Sequence, residues 1–178
     1  AKEAAKRGVE IHQLTEVQDF VTEKNQVTAV KTNRGSIKCG CVVQAIAGAS
    51  SILMNKLHIK SPIHTFPLQA MVSQPFKPFI NPLVSSSALH CYVQQTSRGE
   101  IVFGGGSDPY PLYNTRSTLD LKESLLAHAI EMFPFMANVK LMRQWAGMTD
   151  MTPDYSPIMG KSPYDNYYLD AGWGTWGF

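Results

Sequence analysis

Three glycines follow the last strand signal of this chain. Tyr167 to Ala171 is a short apolar run, and Gly172-Trp173-Gly174-Thr175-Trp176-Gly177-Phe178 comes directly after it. Glycines after a strand let the backbone approach a flat or phosphorylated ligand closely. A helix starting at Phe178 would aim its first N–H groups at an anion or at an electron-rich ring edge. A second place of this kind is Ala47-Gly48-Ala49, at the end of an apolar run that begins near Cys41. The plainer reading of both is turn chemistry, with Gly48 relieving crowding where a strand passes into a helix. Upstream of the glycines stands Arg143-Gln-Trp-Ala-Gly147-Met-Thr-Asp-Met-Thr-Pro-Asp-Tyr-Ser-Pro-Ile-Met-Gly160. Tyr92 lies on a hairpin strand, and the plain reading of its position is a half-buried sheet tyrosine.

The elements that must position these residues are legible as patterns. Ala1 to Arg7 reads as a helix end with Gly8 at its C′ position. Val9 to Leu14 alternates as a strand. Val17 to Thr22 and Val27 to Thr32 read as strands joined by the polar turn Glu23 to Gln26. Ser36 to Ala47 is expected as a further strand, its second half buried and parallel. Leu89 to Thr96 and Glu100 to Gly104 flank Ser97-Arg98-Gly99 as a hairpin. Thr118 to Phe133 is a helix with the apolar stripe Leu121, Leu125, Leu126, Ile130 and Phe133. Ser117 and Asp120 suggest a variant capping box, and Pro134 follows the helix end. Val139 to Trp145 is the last long strand before the Gly/Pro-rich segment. The composite is α+β (α/β where the chain ends meet): a segmented lobe from both ends, with a mixed sheet and a covering helix between them.

Composition excludes several classes. Of the 178 residues 44% are hydrophobic and 17% charged, so a packed core is expected rather than disorder. The formal charge is +2, with basic residues scattered and not interleaved with aromatics, which argues against nucleic acid. No run of eighteen apolar residues occurs, so no membrane span is expected. Three cysteines without scaffold spacing argue against a disulfide framework and fit a cytoplasmic protein. Cys39 and Cys41 read as a pair of small buried thiols on one strand face, and Cys91 as core packing. The chain lacks an initiating Met and opens within a helix, as a piece of a longer protein would.

The segments Arg143 to Gly160 and Asp170 to Phe178 together resemble the C-terminal signature of FAD-dependent amine oxidases of the D-amino-acid oxidase superfamily. That signature reads R-x-W-x-G-x-x-D-x-T-P-D-x-x-P-I-x-G, then x-x-G-W-G-x-x-G-F-K. Val27 to Ile37, Ser61 to Ser73 and His90 to Asp108 narrow the likeness to the β subunits of heterotetrameric sarcosine oxidases, about their C-terminal half. The resemblance implies a partial FAD-binding lobe over 1–61, a substrate domain over 62–144 and a return to the FAD lobe over 145–178. It implies FAD contacts at Ala47, Gly48, Ala49, Gly147, Gly172, Trp173, Gly174, Thr175, Trp176, Gly177 and Phe178, and a substrate-side Tyr92. Single-chain relatives link FAD through a Cys where this chain has Gly147, so a non-covalent FAD is implied. The opening G-x-G-x-x-G fingerprint of a dinucleotide fold is not found after a first strand here. The isolated chain is therefore expected to purify without FAD. The resemblance further implies FMN held by a His outside this chain, none of His12, His58, His64, His90 and His128. The remaining implications are a small-molecule amine substrate, sarcosine, and other subunits of a complex. Arg143 is expected to pair with an acid at the lobe junction, and Asp154 to serve as a turn residue.

Overall fold

The structure, a computed structural model, describes residues 1–175. Helix α1 (Lys2–Lys6) ends at Arg7, and Gly8 follows at φ +86, a left-handed conformation that glycine takes without a Cβ clash. Strands β1 (Val17–Glu23), β2 (Gln26–Thr32) and β3 (Gly35–Lys38) form an antiparallel meander. Strand β4 (Val42–Gln44) leads through a 3-10 turn (Ala47–Ala49) into α2 (Ser50–Lys56). Then come β5 (His64–Pro75), β6 (Val84–Ser86), β7 (Cys91–Gln95), β8 (Glu100–Ser107) and α3 (Leu119–Met132). The chain ends in β9 (Leu141–Met151), β10 (Ile158–Lys161) and β11 (Tyr167–Ala171).

Three local expectations need correction. Val9 to Leu14 forms no strand, because its alternating residues Val9 and Ile11 stay about half exposed and meet no partner strand among the described residues. Ser36 to Ala47 is not one strand. The chain leaves the meander at Lys38, bends at Gly40 and joins a different sheet as β4. Cys39 is consequently half-buried and Cys41 exposed, rather than two buried thiols on one face. Ser117 and Asp120 form no capping box. The N-cap is Thr118, and its hydroxyl is committed elsewhere, donating to Asp108 Oδ1 at 2.8 Å.

The smaller core joins the two ends of the chain. β4 runs parallel to β11, with Val42 beside Tyr167 and Gln44 beside Leu169, and β10 closes the sheet on the other side. The parallel pairing is as expected, but the burial is not: Val43 is 65% exposed. Phe20, Val27, Met54, Leu57, Tyr167 and Leu169 pack together. The Phe20 and Tyr167 rings meet edge to face at 5.4 Å. Asn166 clasps the meander: its Oδ1 accepts from the Val27 N–H at 2.8 Å, and its Nδ2 donates to the carbonyls of Val27 and Gly40 at 2.8 and 2.9 Å.

The larger core lies under the five-stranded sheet, ordered β6-β7-β8-β5-β9. Met71, Val93, Ile101 and Phe103 from its strands meet Leu125 and Ala129 of α3. Burial of a side chain of this size contributes about 1.5–3 kcal/mol. Leu121, Leu126, Ile130 and Phe133 flank the contact, as the stripe requires. Alternation along the strands sends Phe66, Leu68, Ala70, Val72, Tyr92 and Val102 to the opposite face of the sheet.

Tyr167 is fully buried and donates its hydroxyl to Gln44 Oε1. Burial pushes its phenol well above the ordinary value near 10. The folded protein thus keeps a proton that the unfolded chain releases near pH ~10, so this contribution to stability is complete below that pH and declines above it. Urea unfolding measured from pH 8 to 11 should show stability falling above about pH 10. Tyr167→Phe should flatten part of that fall, at a cost in stability at neutral pH of about 1 kcal/mol for the lost hydrogen bond.

Candidate functional site

The site is built on the last five residues of β9, where both glycine turns arrive. β4 and β11 are parallel, so their carboxyl ends emerge on one edge of the small sheet, the edge where cofactors sit in open α/β sheets. From β4 the chain enters the Ala47–Ala49 turn. Ala47 is exposed and adopts φ +47, uncommon for a residue with a Cβ, while Gly48 is buried and Ala49 half-buried. Gly48 lies flat against Met148, whose Cβ occupies the place a Cβ on residue 48 would take. Its carbonyl accepts from Thr65 Oγ1 at 2.7 Å.

From β11 the chain enters the second turn. Gly172 and Gly174 have φ +78 and +57, and a Cβ on either would press on Thr152 or Met151. The Gly172 N–H donates to Asp150 Oδ2 at 2.5 Å, and the Gly174 N–H to the Asp150 carbonyl at 2.8 Å. Trp173 stands outward, its Nε1 donating to Asp170 Oδ1 at 2.6 Å, and Thr175 is exposed. Gly48 and the Gly172–Gly174 turn, more than a hundred residues apart, therefore meet the same stretch, Met148 to Met151. Trp176, Gly177, Phe178 and the helix start expected there lie outside the described residues.

Gly147 begins this stretch and faces the other way. It pairs with Leu68, on the sheet face opposite α3, and nothing lies within 4 Å of where its Cβ would stand. Phe66, Leu68, Ala70 and Trp145 surround it on that face, Trp145 at 41% exposure. Tyr92 is on the same face but not adjacent. The cross-strand line runs Tyr92, Gly104, Ala70, Trp145, three strand spacings or about 14 Å. Burial, with a smaller effect from Cys91, raises the Tyr92 phenol, so it carries a neutral hydroxyl.

Sequence reasoning passed over Asp150. It is 2% exposed and anchors the second turn through both its side chain and its backbone. The available signal was the single carboxylate of β9. Arg143 departs from expectation: it is exposed on the open sheet face, with no carboxylate at ion-pair distance among the described residues. Asp154 is a turn residue as expected, its Oδ1 accepting from the Ser156 N–H at 3.2 Å. That bond, with help from Thr152, holds its carboxyl below the ordinary range.

Two strand-end glycine turns thus pack against one strand, and Gly147 of that strand opens onto the sheet face opposite α3. The chain belongs to the FAD dependent oxidoreductase family, whose profile matches residues 1–178. It is 40% identical over 178 residues to a sarcosine oxidase subunit beta of Rhodobacter capsulatus, covering 100% of this chain and 43% of that protein. It is 42% identical to the sarcosine oxidase subunit beta of Arthrobacter sp, again over 100% of this chain and 44% of that protein. Among solved structures, the L-proline dehydrogenase from P. horikoshii superposes with a TM-score of 0.89 at 32% identity, covering 98% of this chain and 48% of that one. The glycine oxidase from Geobacillus kaustophilus shares the fold, with a TM-score of 0.84 at 20% identity over 96% of this chain and 46% of that one. The chain thus spans less than half the length of these relatives. No helix among the described residues is long and apolar enough to cross a membrane.

Asp150→Ala should cost about 1–3 kcal/mol of stability, because it removes the acceptor of a buried N–H. Chemical denaturation of wild type and variant checks this. A change smaller than about 0.5 kcal/mol would mean that the turn stands without its anchor.

Proposed function

We propose that this chain supplies the substrate sheet and part of the cofactor lobe of a flavoprotein that oxidises sarcosine to glycine and a one-carbon unit. The observation that carries the reading is Gly147, which opens onto a bare face beside two glycine turns. Identity of 40% and 42% to two sarcosine oxidase β subunits, along the whole of this chain and under half of those proteins, supports the choice of substrate. In this reading residues 1–61 and 145–178 belong to the FAD lobe and 62–144 to the substrate domain, with β9 running unbroken across the second junction.

The residues present fit a flat ring system that carries hydrogen-bond acceptors. Gly147 leaves room for a ring edge where any side chain would intrude. The turns at Ala47–Ala49 and Gly172–Thr175 bring backbone close to the same strand, and Asp150 holds the second of them in shape. Ser50, just after Ala49, keeps a buried hydroxyl without a partner among the described residues, a donor suited to a ligand oxygen. FAD bound there supplies the electron acceptor for the carbon next to the amine nitrogen. The chain's own part is to shape and orient. Phe66, Leu68, Ala70 and Trp145 exclude water from one side of the substrate. Trp145 offers an aromatic face to a methylammonium group, while Tyr92, three strands away on the same face, lines the far side of the substrate space. FAD would be non-covalent, because Gly147 has no nucleophile. FMN on a His outside this chain, and other subunits of a heterotetramer, complete the proposed assembly.

In the full-length protein the expected result is flavin absorbance that sarcosine bleaches without oxygen. Bleaching by glycine or a D-amino acid instead would move the substrate within the family, and a D-amino acid dehydrogenase of Granulibacter bethesdensis, 28% identical, makes that comparison worth including. Absence of flavin from the full-length protein would replace the enzyme reading with a non-catalytic assembly module. The isolated 178-residue chain should carry no FAD. Gly147→Leu in the full-length protein should preserve folding, since a Cβ there meets nothing, and should lower FAD content at least severalfold. Retention of a full complement of FAD by that variant would place the flavin elsewhere.

A further inference from the structure

The open sheet face has a second feature at its other end. A groove of about 650 Å³ is bounded by Val72, Val102, Arg98, Glu100, Arg143 and Trp145. This volume lies within the range of small-molecule sites, about 300–1,000 Å³. Arg143 lies four positions before Gly147 on β9, about 13 Å of extended strand.

The charges in the groove are unequal in their commitments. Glu100 accepts from Thr96 Oγ1 and lies 3.5 Å from Arg98 Nη2, so its carboxylate is already engaged. Arg143 has no such partner among the described residues and stands on the same face as Trp145, two residues along the strand. Val72 pairs directly with Arg143, and Val102 lies beside Val72, so an apolar floor adjoins the guanidinium. A fork of N–H donors next to an aromatic ring and two valines matches one kind of molecule. Its anionic end suits the guanidinium, which holds carboxylate and phosphate in bidentate fashion. Its flat apolar body suits the ring and the valines.

We propose that this groove binds a small organic anion with a planar apolar body, its carboxylate or phosphate on Arg143 and its plane against Trp145, Val72 and Val102. The groove shares Trp145 with the proposed substrate space and differs from it at Arg143, and its test uses no redox reaction, so Arg143→Gln judges it independently of the amine-oxidation reading.

The full-length protein is titrated by calorimetry, and in parallel by tryptophan fluorescence, with naphthoate, naphthyl phosphate and the neutral naphthalenemethanol. At least one anion should bind about tenfold more tightly than the neutral compound, a difference of about 1.4 kcal/mol, and the tighter anion identifies the group the site takes. Arg143→Gln should weaken that anion by about tenfold, and Arg143→Lys by less, since the charge remains but the fork is lost. Trp145→Phe should reduce the fluorescence change at saturation. Arg143 is exposed, so these variants should melt with the wild type, which separates lost binding from lost folding. The proposal is overturned if no probe binds, if the neutral compound binds as tightly as the anions, or if Arg143→Gln binds within about twofold of wild type.

Discussion

The antiparallel ladder between β5 and β9 is the constraint on which the rest of the molecule depends. Its register runs from His64 opposite Met151 to Ser73 opposite Leu141. Side chains on the two strands alternate between faces, so one register decides both what α3 buries and what the open face displays. Met71 goes to the helix, while Phe66, Leu68, Ala70 and Val72 go to the other side with Gly147, Trp145 and Arg143. A slip by one residue would bury Arg143 and turn the space above Gly147 into core.

A buried polar cluster fixes that register. Gln69 is 1% exposed, and every hydrogen-bonding position of its amide is used. Its Nε2 donates to Asp108 Oδ2 and Thr118 Oγ1 at 2.9 and 3.1 Å. Its Oε1 accepts from the Thr118 N–H and Gln144 Nε2, both at 3.0 Å. A fully satisfied network of this kind specifies one arrangement, because any other leaves buried polar groups unpaired. It ties β5, β9 and the start of α3 together, which is why Thr118 serves as N-cap without capping through its hydroxyl.

Elements whose own residues encode them were legible in the sequence. The hairpin around Ser97-Arg98-Gly99, the stripe of α3, the two meander strands and β11 all follow from local periodicity and turn residues. Ser36 to Ala47 misled because a continuous apolar pattern does not reveal a change of sheet, which depends on a partner far along the chain. Val9 to Leu14 misled because alternation is not sufficient without a neighbouring strand. The convergence of Gly48 with Gly172 follows from both turns sitting at the carboxyl ends of strands, and the parallel β4–β11 pair puts those ends on one edge. Asp150 and the Gln69 cluster were not legible, since a buried polar residue in sequence looks like any other until its partners are placed.

The Asn166 clasp and the β4–β11 pair have a consequence for how the chain is made. The hydroxyl of Tyr167 reaches back 123 positions to Gln44, and Asn166 reaches back 139 to Val27. Closing loops of this length is slow relative to local hairpins. As the polypeptide leaves the ribosome, β4 and the outer edge of the meander emerge long before the segment that completes them. Through that interval β4 has no β11 beside it, and the ring of Phe20 has no Tyr167 to cover it. The order of synthesis therefore places the edge at which β4 and β11 both end among the last parts to become native.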